Sequence, residues 1–405
     1  MKINLERLKN NLIELGWFGF DGNPDKEIPA GDNGITRLPY STDYLKAEDY
    51  VRELMEKAGL KVWKDPAGNL FGKLSGKSEK GEMIVIGSHI DTVINGGLFD
   101  GSLGVMAAVE SLRVLKENNY QNNHDLIAAV FTGEEGVKYP GYLGSRAFIG
   151  DKFSDKEIKE LADTGVGEKE LKESAVNTEK IKNYLELHIE QGQVLKEKAK
   201  NIGIVEGIVG ISRYKALVTG KPNHAGTTPM DMRDDALLKA SKVILEINRI
   251  VKELNGDHGR MVGTVGQLNL KPGAVNVIPG GTEFSIELRD MEKENIDKAI
   301  KSIENLEVKG LEIEEQFHEG GVYLDKKVQK EIAGAAEALN YDYLKMLSGA
   351  GHDASPMARV TSAGMVFVPS KDGISHSPEE WTDWQDVEKG ANLILETVKK
   401  LDNKN

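Results

Sequence analysis

Two short apolar runs, each ending beside residues that can carry chemistry, constrain this chain more than any other feature. Met83 to Gly87 and Leu126 to Thr132 have the composition of buried parallel strands, and a helical pattern lies between them. That order predicts a β-α-β unit. In a parallel sheet with helices on both faces, functional groups lie where the strands end. His89 comes just after the first run, and Glu134 and Glu135 come just after the second.

Length and a change of pattern predict two compact units. At 405 residues the chain exceeds the usual size of a single core. The pattern changes near Ile211 and the earlier pattern resumes after about Gly321. We therefore expect an α/β fold in which a mostly parallel-sheet catalytic domain, residues 1–209 and 323–405, contains an inserted smaller α+β domain, residues 210–322. The elements predicted in the insert are helices near 234–254 and 293–305 and strands at Tyr214 to Thr219, Met261 to Leu270 and Thr282 to Arg289.

Composition and charge exclude several classes of protein. A formal net charge of −13 opposes binding to polyphosphate, so no nucleic-acid partner is expected. The chain has no cysteine, which excludes disulfides and thiol nucleophiles and leaves His and carboxylates as ligands for any metal. Without an apolar run of membrane-spanning length, we expect a cytoplasmic protein with no membrane partner. The N-terminus is typical of an amphipathic helix rather than a signal peptide, because charges separate Ile3, Leu5, Leu8, Leu12 and Ile13.

The first two motifs contain His89 and Asp100. A neutral imidazole is a good ligand for zinc-like ions, and Asp91, two residues on from His89, can orient the ring. The alternative is a capping His beside a turn Asp. Asp100 stands between glycines at the start of the helical pattern, where it can bridge two cations or simply cap the helix. Glycines would let the backbone approach a crowded centre.

Three further motifs contain carboxylates and imidazoles. Glu134 and Glu135 diverge in an irregular segment, so one can bind a metal while the other faces the water that the metal polarises; a solvated acidic turn is the alternative. In the strand pattern around His188, Glu186, His188 and Glu190 share one face, which is either a ligand face or an exposed polar face. His376 lies in a loop after a predicted strand and is uninformative alone.

The set of motifs favours a metal centre more than any one of them does. The chain has eight His, and three of them occur in these contexts. One bridging carboxylate, three imidazoles and one further carboxylate would give each of two ions three protein ligands, with positions left for water and substrate. The predicted ligands are His89, Asp100, Glu135, His188 and His376.

The order of the motifs is similar to that of a known family. HxD, GGxFDG, GEEG, ELHIEQG, NHAGTTPM, PGAVNVIPG, SGAGHDA and ISHSPEE occur in the order of the M20-type metallohydrolases. The chain most resembles the branch of N-carbamoyl-L-amino-acid hydrolases, allantoate amidohydrolases and β-ureidopropionases, from about residue 35 to its C-terminus. ELHIEQG and NHAGTTPM are specific to that branch, whereas EE and HxD are common across the family.

The resemblance implies roles for the metal-site residues. His89, Asp100 and His188 would hold one divalent ion, and Asp100, Glu135 and His376 the other, with Zn²⁺, Mn²⁺ or Co²⁺ as candidates. Glu134 would be the general base, and Asp91 would orient His89. Many peptidase relatives carry a carboxylate at the position of His188, whereas the carbamoylase-like branch carries His.

The resemblance also implies roles for the inserted domain, which would act as a lid and form a homodimer. His224 would stabilise the oxyanion, and Asn276 and Arg289 would bind the substrate amide and carboxylate. Gln191 and Gly351 would line the pocket. Without the resemblance, His224 is a structural loop residue and Arg289 an ion-pair partner of Asp290 or Glu287, and a structural pairing of His352 with Asp353 is equally open.

The expected function is hydrolysis of a small substrate that carries a ureido or amide group and a carboxylate. The leading hypothesis is cleavage of the ureido C–N bond of an N-carbamoyl-L-amino acid or allantoate by a metal-activated water, with Glu134 as base. A dipeptidase or aminoacylase is the nearest alternative. A catalytically inactive metal-binding relative is another, which the intact Glu134 disfavours. Leu98 and Gln193 depart from the common pattern at positions that hold no ligand.

Overall fold

The structure of the protein, a computed structural model, describes residues 1–23, 28, 30–31, 33–78, 80–255 and 260–404. No helix within these ranges combines the length and the apolar character needed to cross a membrane. The strands found there, numbered in chain order, are β1 (Lys61–Lys64), β2 (Leu70–Leu74), β3 (Met83–His89), β4 (Asp125–Phe131), β5 (Ile181–Ile189), β6 (Ile202–Ile208), β7 (Gly210–Thr219), β8 (Val262–Thr264), β9 (Leu268–Lys271), β10 (Gly281–Asp290), β11 (Leu311–Glu319), β12 (Val322–Tyr323), β13 (Tyr343–Ser348) and β14 (Ser362–Val368). The α-helices are α1 (Leu5–Gly16), α2 (Thr42–Lys57), α3 (Ser102–Glu117), α4 (Leu143–Phe148), α5 (Asp155–Glu160), α6 (Glu168–Glu173), α7 (Val194–Glu197), α8 (Ala236–Asn255), α9 (Lys293–Glu304), α10 (Lys326–Ala338), α11 (Ala354–Ala358) and α12 (Trp384–Asp402).

The chain divides into two compact units, each with its own sheet. The first unit is formed by residues 1–206 and 323–405, and the second by residues 207–322. The sheet of the first unit has the order β1-β2-β4-β3-β5-β14-β6-β12, and β13 pairs with β6. Its central strands β4, β3, β5 and β14 are parallel to their neighbours within that group. The predicted α/β class, with a mostly parallel sheet and the β3-α3-β4 unit, is confirmed.

The parallel strands are apolar because both of their faces are covered. Nearly every residue of β3, β4, β5 and β14 is buried, including Glu186 and His188 of β5. An exposed polar face for β5, the alternative left open by its alternating sequence, is therefore wrong. Polar side chains buried inside a sheet need partners. The carboxyl ends of β3, β4 and β5 meet at one edge of the sheet, which brings their polar residues together.

Gly104 lets α3 approach the sheet closely. A Cβ at this position would lie 2.4 Å from the Leu187 carbonyl oxygen, a backbone atom that cannot move aside. We expect Gly104→Ala to lower the free energy of unfolding by about 1–3 kcal/mol, the usual effect of overpacking. Gly334→Ala in α10 is the matched control, since its Cβ would meet only Lys400 Nζ at 3.9 Å. It should raise stability by about 1 kcal/mol, because Gly disfavours helix. Urea denaturation would compare the two, and equal midpoints would contradict the close approach.

The second unit is an antiparallel sheet with helices packed on one face. Its order is β11-β7-β10-β8, and β9 also pairs with β10. Its core combines residues of α8 and α9 with the buried residues of β10, namely Phe284, Ile286 and Leu288. The single strand predicted at 261–270 is wrong, because β8 and β9 pair separately with β10. Between them Gln267 donates its backbone N–H to the Ser285 hydroxyl rather than to a backbone carbonyl.

Candidate active site

The carboxyl edge of the first sheet carries four segments with candidate ligands. His89 is the last residue of β3, and Glu135 lies in the loop that follows β4. His188 is the penultimate residue of β5. His376 lies in the loop after β14 with a left-handed φ of 54°, which is uncommon for a residue other than glycine. The fold thus delivers side chains from distant parts of the sequence to one place.

Asp100 is the centre of this group. Its Oδ1 lies 3.1 Å from His188 Nε2 and 3.6 Å from His89 Nε2, and its Oδ2 lies 3.3 Å from His376 Nε2. His376 Nε2 is in turn 3.5 Å from Glu135 Oε2. The structure therefore places the five residues in two groups that share Asp100, His89–Asp100–His188 and Asp100–Glu135–His376, each compact enough to surround one ion.

Asp100 does not cap the helix that follows it. The N-cap of α3 is Gly101, and no side chain accepts a hydrogen bond there, so the capping alternative is wrong. Gly101 has a φ of +62°, and a Cβ on it would lie 2.4 Å from the His89 ring. Only glycine fits between the helix and the imidazole, which leaves the Asp100 carboxylate facing the three imidazoles.

Glu380 connects two of the segments and was not singled out by its sequence pattern. It is buried, and its Oε1 accepts the backbone N–H groups of Phe99 and Asp100 at 2.9 and 3.1 Å. Its Oε2 accepts the Ser375 hydroxyl at 2.8 Å. Burial, with the Asp100 carboxylate, raises the pKa of Glu380 to about 7. The carboxyl group holds the turn of Asp100 against the loop of His376, and its only sequence signal is its place four residues after that His.

Asp91 contacts His89 differently from the prediction. The ring nitrogen Nδ1 of His89 lies 2.9 Å from the Asp91 backbone oxygen, whereas the nearer carboxylate oxygen of Asp91 is 3.8 Å away. The Asp91 carboxylate instead accepts the backbone N–H groups of Gly133, Glu134 and Glu135 at 2.9 to 3.3 Å. Asp91 therefore contacts the His89 ring through its backbone oxygen, and it holds the loop of Glu134 and Glu135 through its carboxylate.

Burial and mutual repulsion dominate the electrostatics of the paired glutamates. Burial, followed by the Glu135 and Asp353 carboxylates, raises the pKa of Glu134 well above its usual value. Burial and the Asp100 carboxylate do the same to the pKa of Glu135. Glu134 Oε2 lies 3.7 Å from His89 Nε2, so this carboxyl group is beside the ligand cluster. A raised pKa makes the ionised carboxyl group a stronger proton acceptor.

Asp100 and the imidazoles change each other's pKa values. Burial alone would lower the pKa of His188, but the Asp100 carboxylate raises it to about 9. Burial would raise the pKa of Asp100, but His188 and His376 hold it well below its usual range. A cation binds an imidazole nitrogen only in its unprotonated form, so a metal and protons compete for the same donors.

The donor set fits divalent cations. Three imidazoles and two carboxylates are borderline ligands that suit Zn²⁺, Mn²⁺ and Co²⁺. Two buried oxygens, Glu135 Oε1 and Gln191 Oε1, have no hydrogen-bond partner in the described residues. Buried oxygens without partners are unfavourable, and a cation would satisfy the Glu135 oxygen directly.

Two residues predicted to line the pocket lie in the first unit. Gln191 donates its amide to Asp100 Oδ2 at 2.8 Å, and its Nε2 lies 3.3 Å from His376 Nε2. Gly351 lies against the Tyr142 hydroxyl, and a Cβ there would be only 1.7 Å from that oxygen. Gln191 is therefore bonded to the ligand group, and the position of Gly351 has no room for a side chain.

His352 and Asp353 have separate partners. The His352 ring packs edge-on against His188 with centroids 4.4 Å apart, and its Nε2 lies 2.9 Å from the Ser348 hydroxyl. Asp353 accepts the Ser145 hydroxyl at 2.6 Å. His352 thus packs against the ring of His188, which is a candidate ligand.

The remaining predicted residues belong to the second unit. His224 Nδ1 accepts the backbone N–H groups of Gly226 and Thr227 at 3.0 and 3.3 Å, so a neutral ring carries its proton on Nε2, where it can be donated. The Ala225 N–H donates to the Asn276 carbonyl at 2.9 Å, which brings these two loops together. Arg289 forms an ion pair with Glu287 at 2.7 Å, as the alternative interpretation of its sequence context proposed.

Comparison with known proteins places this geometry in a family. Residues 85–400 match peptidase family M20/M25/M40. The chain belongs to this family. It is 37% identical to an N-carbamoyl-L-amino-acid amidohydrolase of Paenarthrobacter aurescens, over 99% of each chain. It is also 37% identical to an allantoate amidohydrolase of Bacillus subtilis, over 92% of this chain and 94% of the relative.

The fold of this M20 chain is similar to that of a solved hydantoinase/carbamoylase-family amidase from Burkholderia multivorans. The TM-score is 0.87 at 30% sequence identity, over 100% of this chain and 99% of the other. The predictions that the chain is an M20-type hydrolase of C–N bonds and resembles the carbamoylase branch are therefore confirmed.

Proposed function

We propose that this M20 chain is a metal-dependent amidohydrolase that cleaves the ureido C–N bond of an N-carbamoyl-L-amino acid or of allantoate. The observation that carries the proposal is the contact of His188 with the shared carboxylate of Asp100, at 3.1 Å. An imidazole at this position accords with the carbamoylase-like branch rather than with the peptidases. Relatives of both substrate types match nearly the whole chain.

Two divalent ions are proposed for the centre. His89, Asp100 and His188 would hold one, and Asp100, Glu135 and His376 the other, which agrees with the two groups described above. When bound, such ions polarise the substrate carbonyl and lower the pKa of water. The unpartnered Glu135 oxygen supports a cation on that side.

Glu134 is proposed as the general base. It takes a proton from the water that attacks the ureido carbonyl carbon, and it later gives a proton to the leaving nitrogen as the C–N bond breaks. This step leaves a carbamic acid, which loses carbon dioxide and so releases the second nitrogen, and the products are the amine, ammonia and carbon dioxide. Burial keeps this carboxyl group away from bulk water, and the backbone bonds from residues 133–135 to Asp91 hold it in position.

The substrate contacts are proposed from the second unit and from Gln191 and Gly351. The Nε2–H of His224 is a donor for the negative charge that develops on the carbonyl oxygen. Asn276 would bind the amide and Arg289 the carboxylate, for which its paired donors are suited. Arg289 would then exchange its ion pair with Glu287 for one with the substrate carboxylate.

A homodimer through the second unit is proposed as well. In α8, Leu238 and Leu245 are 60% and 71% exposed and lie two helical turns apart on one side. Val262 of β8 is also exposed. Apolar side chains in solvent are typical of an interface, and a second copy of the chain is the proposed partner.

A substrate panel tests the proposed reaction. We expect the chain reconstituted with Mn²⁺, Co²⁺ or Zn²⁺ to release ammonia from N-carbamoyl-L-amino acids or allantoate and to leave dipeptides and N-acyl amino acids intact. Ammonia and amine would be measured separately for each compound. Dipeptide cleavage alone would favour the dipeptidase alternative, and bound metal without turnover of any compound would favour an inactive relative.

A further inference from the structure

Arg37 has an environment unlike that of the other arginine and lysine side chains that the structure describes. It is 1% exposed, and no other arginine or lysine is buried among the described residues. Its guanidinium donates to the backbone oxygens of Ile90, Leu15 and Phe18 at 2.5 to 2.9 Å and to the Ser102 hydroxyl at 3.0 Å. All of these acceptors are uncharged.

A buried guanidinium without a bonded carboxylate is unfavourable unless charge nearby compensates it. Burial lowers the pKa of Arg37 to about 10, and the Asp91 carboxylate opposes that decrease. The side chain is therefore charged at neutral pH. Among nearby charges the Asp91 carboxylate opposes the effect of burial most, and this carboxylate also accepts the backbone N–H groups of Glu134 and Glu135.

The acceptors of Arg37 belong to the segments that carry the candidate ligands. Ile90 is the residue between His89 and Asp91, and Ser102 is in the first turn of α3, two residues after Asp100. The Arg37 backbone also pairs with Thr92. Its N–H donates to the Thr92 hydroxyl at 2.8 Å, and its carbonyl accepts the Thr92 N–H at 3.1 Å. One residue is therefore bonded to the segment of His89 and to the segment of Asp100.

We propose that Arg37 is a positioning residue of the metal centre, which fixes the His89 segment against the first turn of α3. This inference rests on the proposed metal centre. The planar guanidinium carries N–H donors that point to acceptors in several directions at once. A lysine ammonium carries all of its donors on one nitrogen, so it cannot reproduce that arrangement. The effect of Arg37 is transmitted through the segments of His89 and Asp100, since its hydrogen bonds there go to Ile90, Thr92 and Ser102.

Arg37→Met and Arg37→Lys test the role, with Arg7→Met as the matched control. Arg7 attaches α1 to α3 through Glu110 and Glu117, so its loss loosens α1, as loss of the Leu15 and Phe18 bonds would, without touching the ligand segments. Mn²⁺ affinity would be measured by competition with a chelator, and the visible absorption of the Co²⁺-loaded chain would report ligand geometry. Thermal unfolding would be recorded for every variant.

Arg37→Met should weaken Mn²⁺ binding by about 10- to 100-fold, the usual effect of losing a residue that supports a ligand, and should change the Co²⁺ spectrum. Arg37→Lys should lie between it and the wild type. Arg7→Met should lose thermal stability and keep its Mn²⁺ affinity within about twofold. A folded Arg37→Met chain with wild-type affinity and spectrum overturns the inference.

Two further results decide the role of Arg37 if Arg37→Met does not fold or if the wild-type chain binds no metal. If Arg37→Met does not fold, Ser102→Ala removes one acceptor of the guanidinium in a milder way. Unchanged Mn²⁺ affinity in both Ser102→Ala and Arg37→Lys then overturns the role of Arg37. A wild-type chain that binds neither Mn²⁺ nor Co²⁺ overturns the proposed metal centre, and Arg37 as its positioning residue with it, which distinguishes that failure from one confined to Arg37.

Discussion

Glu134→Gln should retain both metal ions and lose roughly 10²- to 10⁴-fold in kcat, the range that a general base contributes. The amide has nearly the shape of the carboxyl group but cannot accept a proton from water. Glu134 is absent from both candidate ligand groups, so its replacement leaves the donors of the ions intact. Metal content per chain and kcat on the best compound of the substrate panel would be measured on the same preparation.

The matched control for this variant is Glu379→Gln. Glu379 is exposed and lies in the His376 loop, so the same chemical change near the site should leave kcat within about twofold. Full activity in Glu134→Gln would exclude Glu134 as the base. Loss of metal together with activity would show instead that Glu134 acts as a ligand.

Asp100→Asn should remove metal binding along with activity. Its carboxylate belongs to both candidate ligand groups and lies within 3.6 Å of a nitrogen of each of three imidazoles. An amide oxygen carries no charge to bridge two dications. We expect the affinity for both ions to fall by more than about 100-fold, beyond the loss caused by residues that only support ligands. Metal analysis after dialysis against a weak chelator would measure this.

Asp163→Asn makes the same substitution in an exposed surface pair with Lys138 and should leave metal content at the wild-type value. An Asp100→Asn chain that still held two ions would rule out the bridging role. Taken with Glu134→Gln, the pair separates two ways of losing activity. One variant loses the proton acceptor and keeps the metal, and the other loses the metal.

The candidate ligands were accessible to sequence analysis because each stands beside a strong pattern. His89 and Glu135 follow apolar strands. Neighbouring parallel strands have their carboxyl ends at the same edge of the sheet, independently of the rest of the chain. His188 lies within an alternating strand, and Asp100 lies between glycines at the start of a helix. His376 was predicted only as a member of the set, since its loop carries no periodicity.

Residues that support the ligands were not accessible in this way. Glu380 accepts the Asp100 N–H from 280 positions along the chain, and Arg37 donates to Ile90 and Ser102 from 53 and 65 positions away. Residues separated this far along the chain produce no periodic pattern in the sequence. The break between β8 and β9 was also missed. Thr264 pairs with Glu287 and Leu268 with Phe284, so residues 265–267 lie opposite residues 285–286, and the apolar pattern does not mark the extra residue.

The sequence by itself determined the α/β class and the polar residues placed where strands end, because hydrophobic periodicity and chain connectivity are local properties. Tertiary structure alone decided that Asp100 faces three imidazoles rather than capping α3, and that the Asp91 carboxylate supports the Glu134 loop rather than the His89 ring. Both outcomes follow from burial. A polar group removed from water bonds to whatever acceptor or donor the folded chain places nearest, and only the packed structure defines that neighbour.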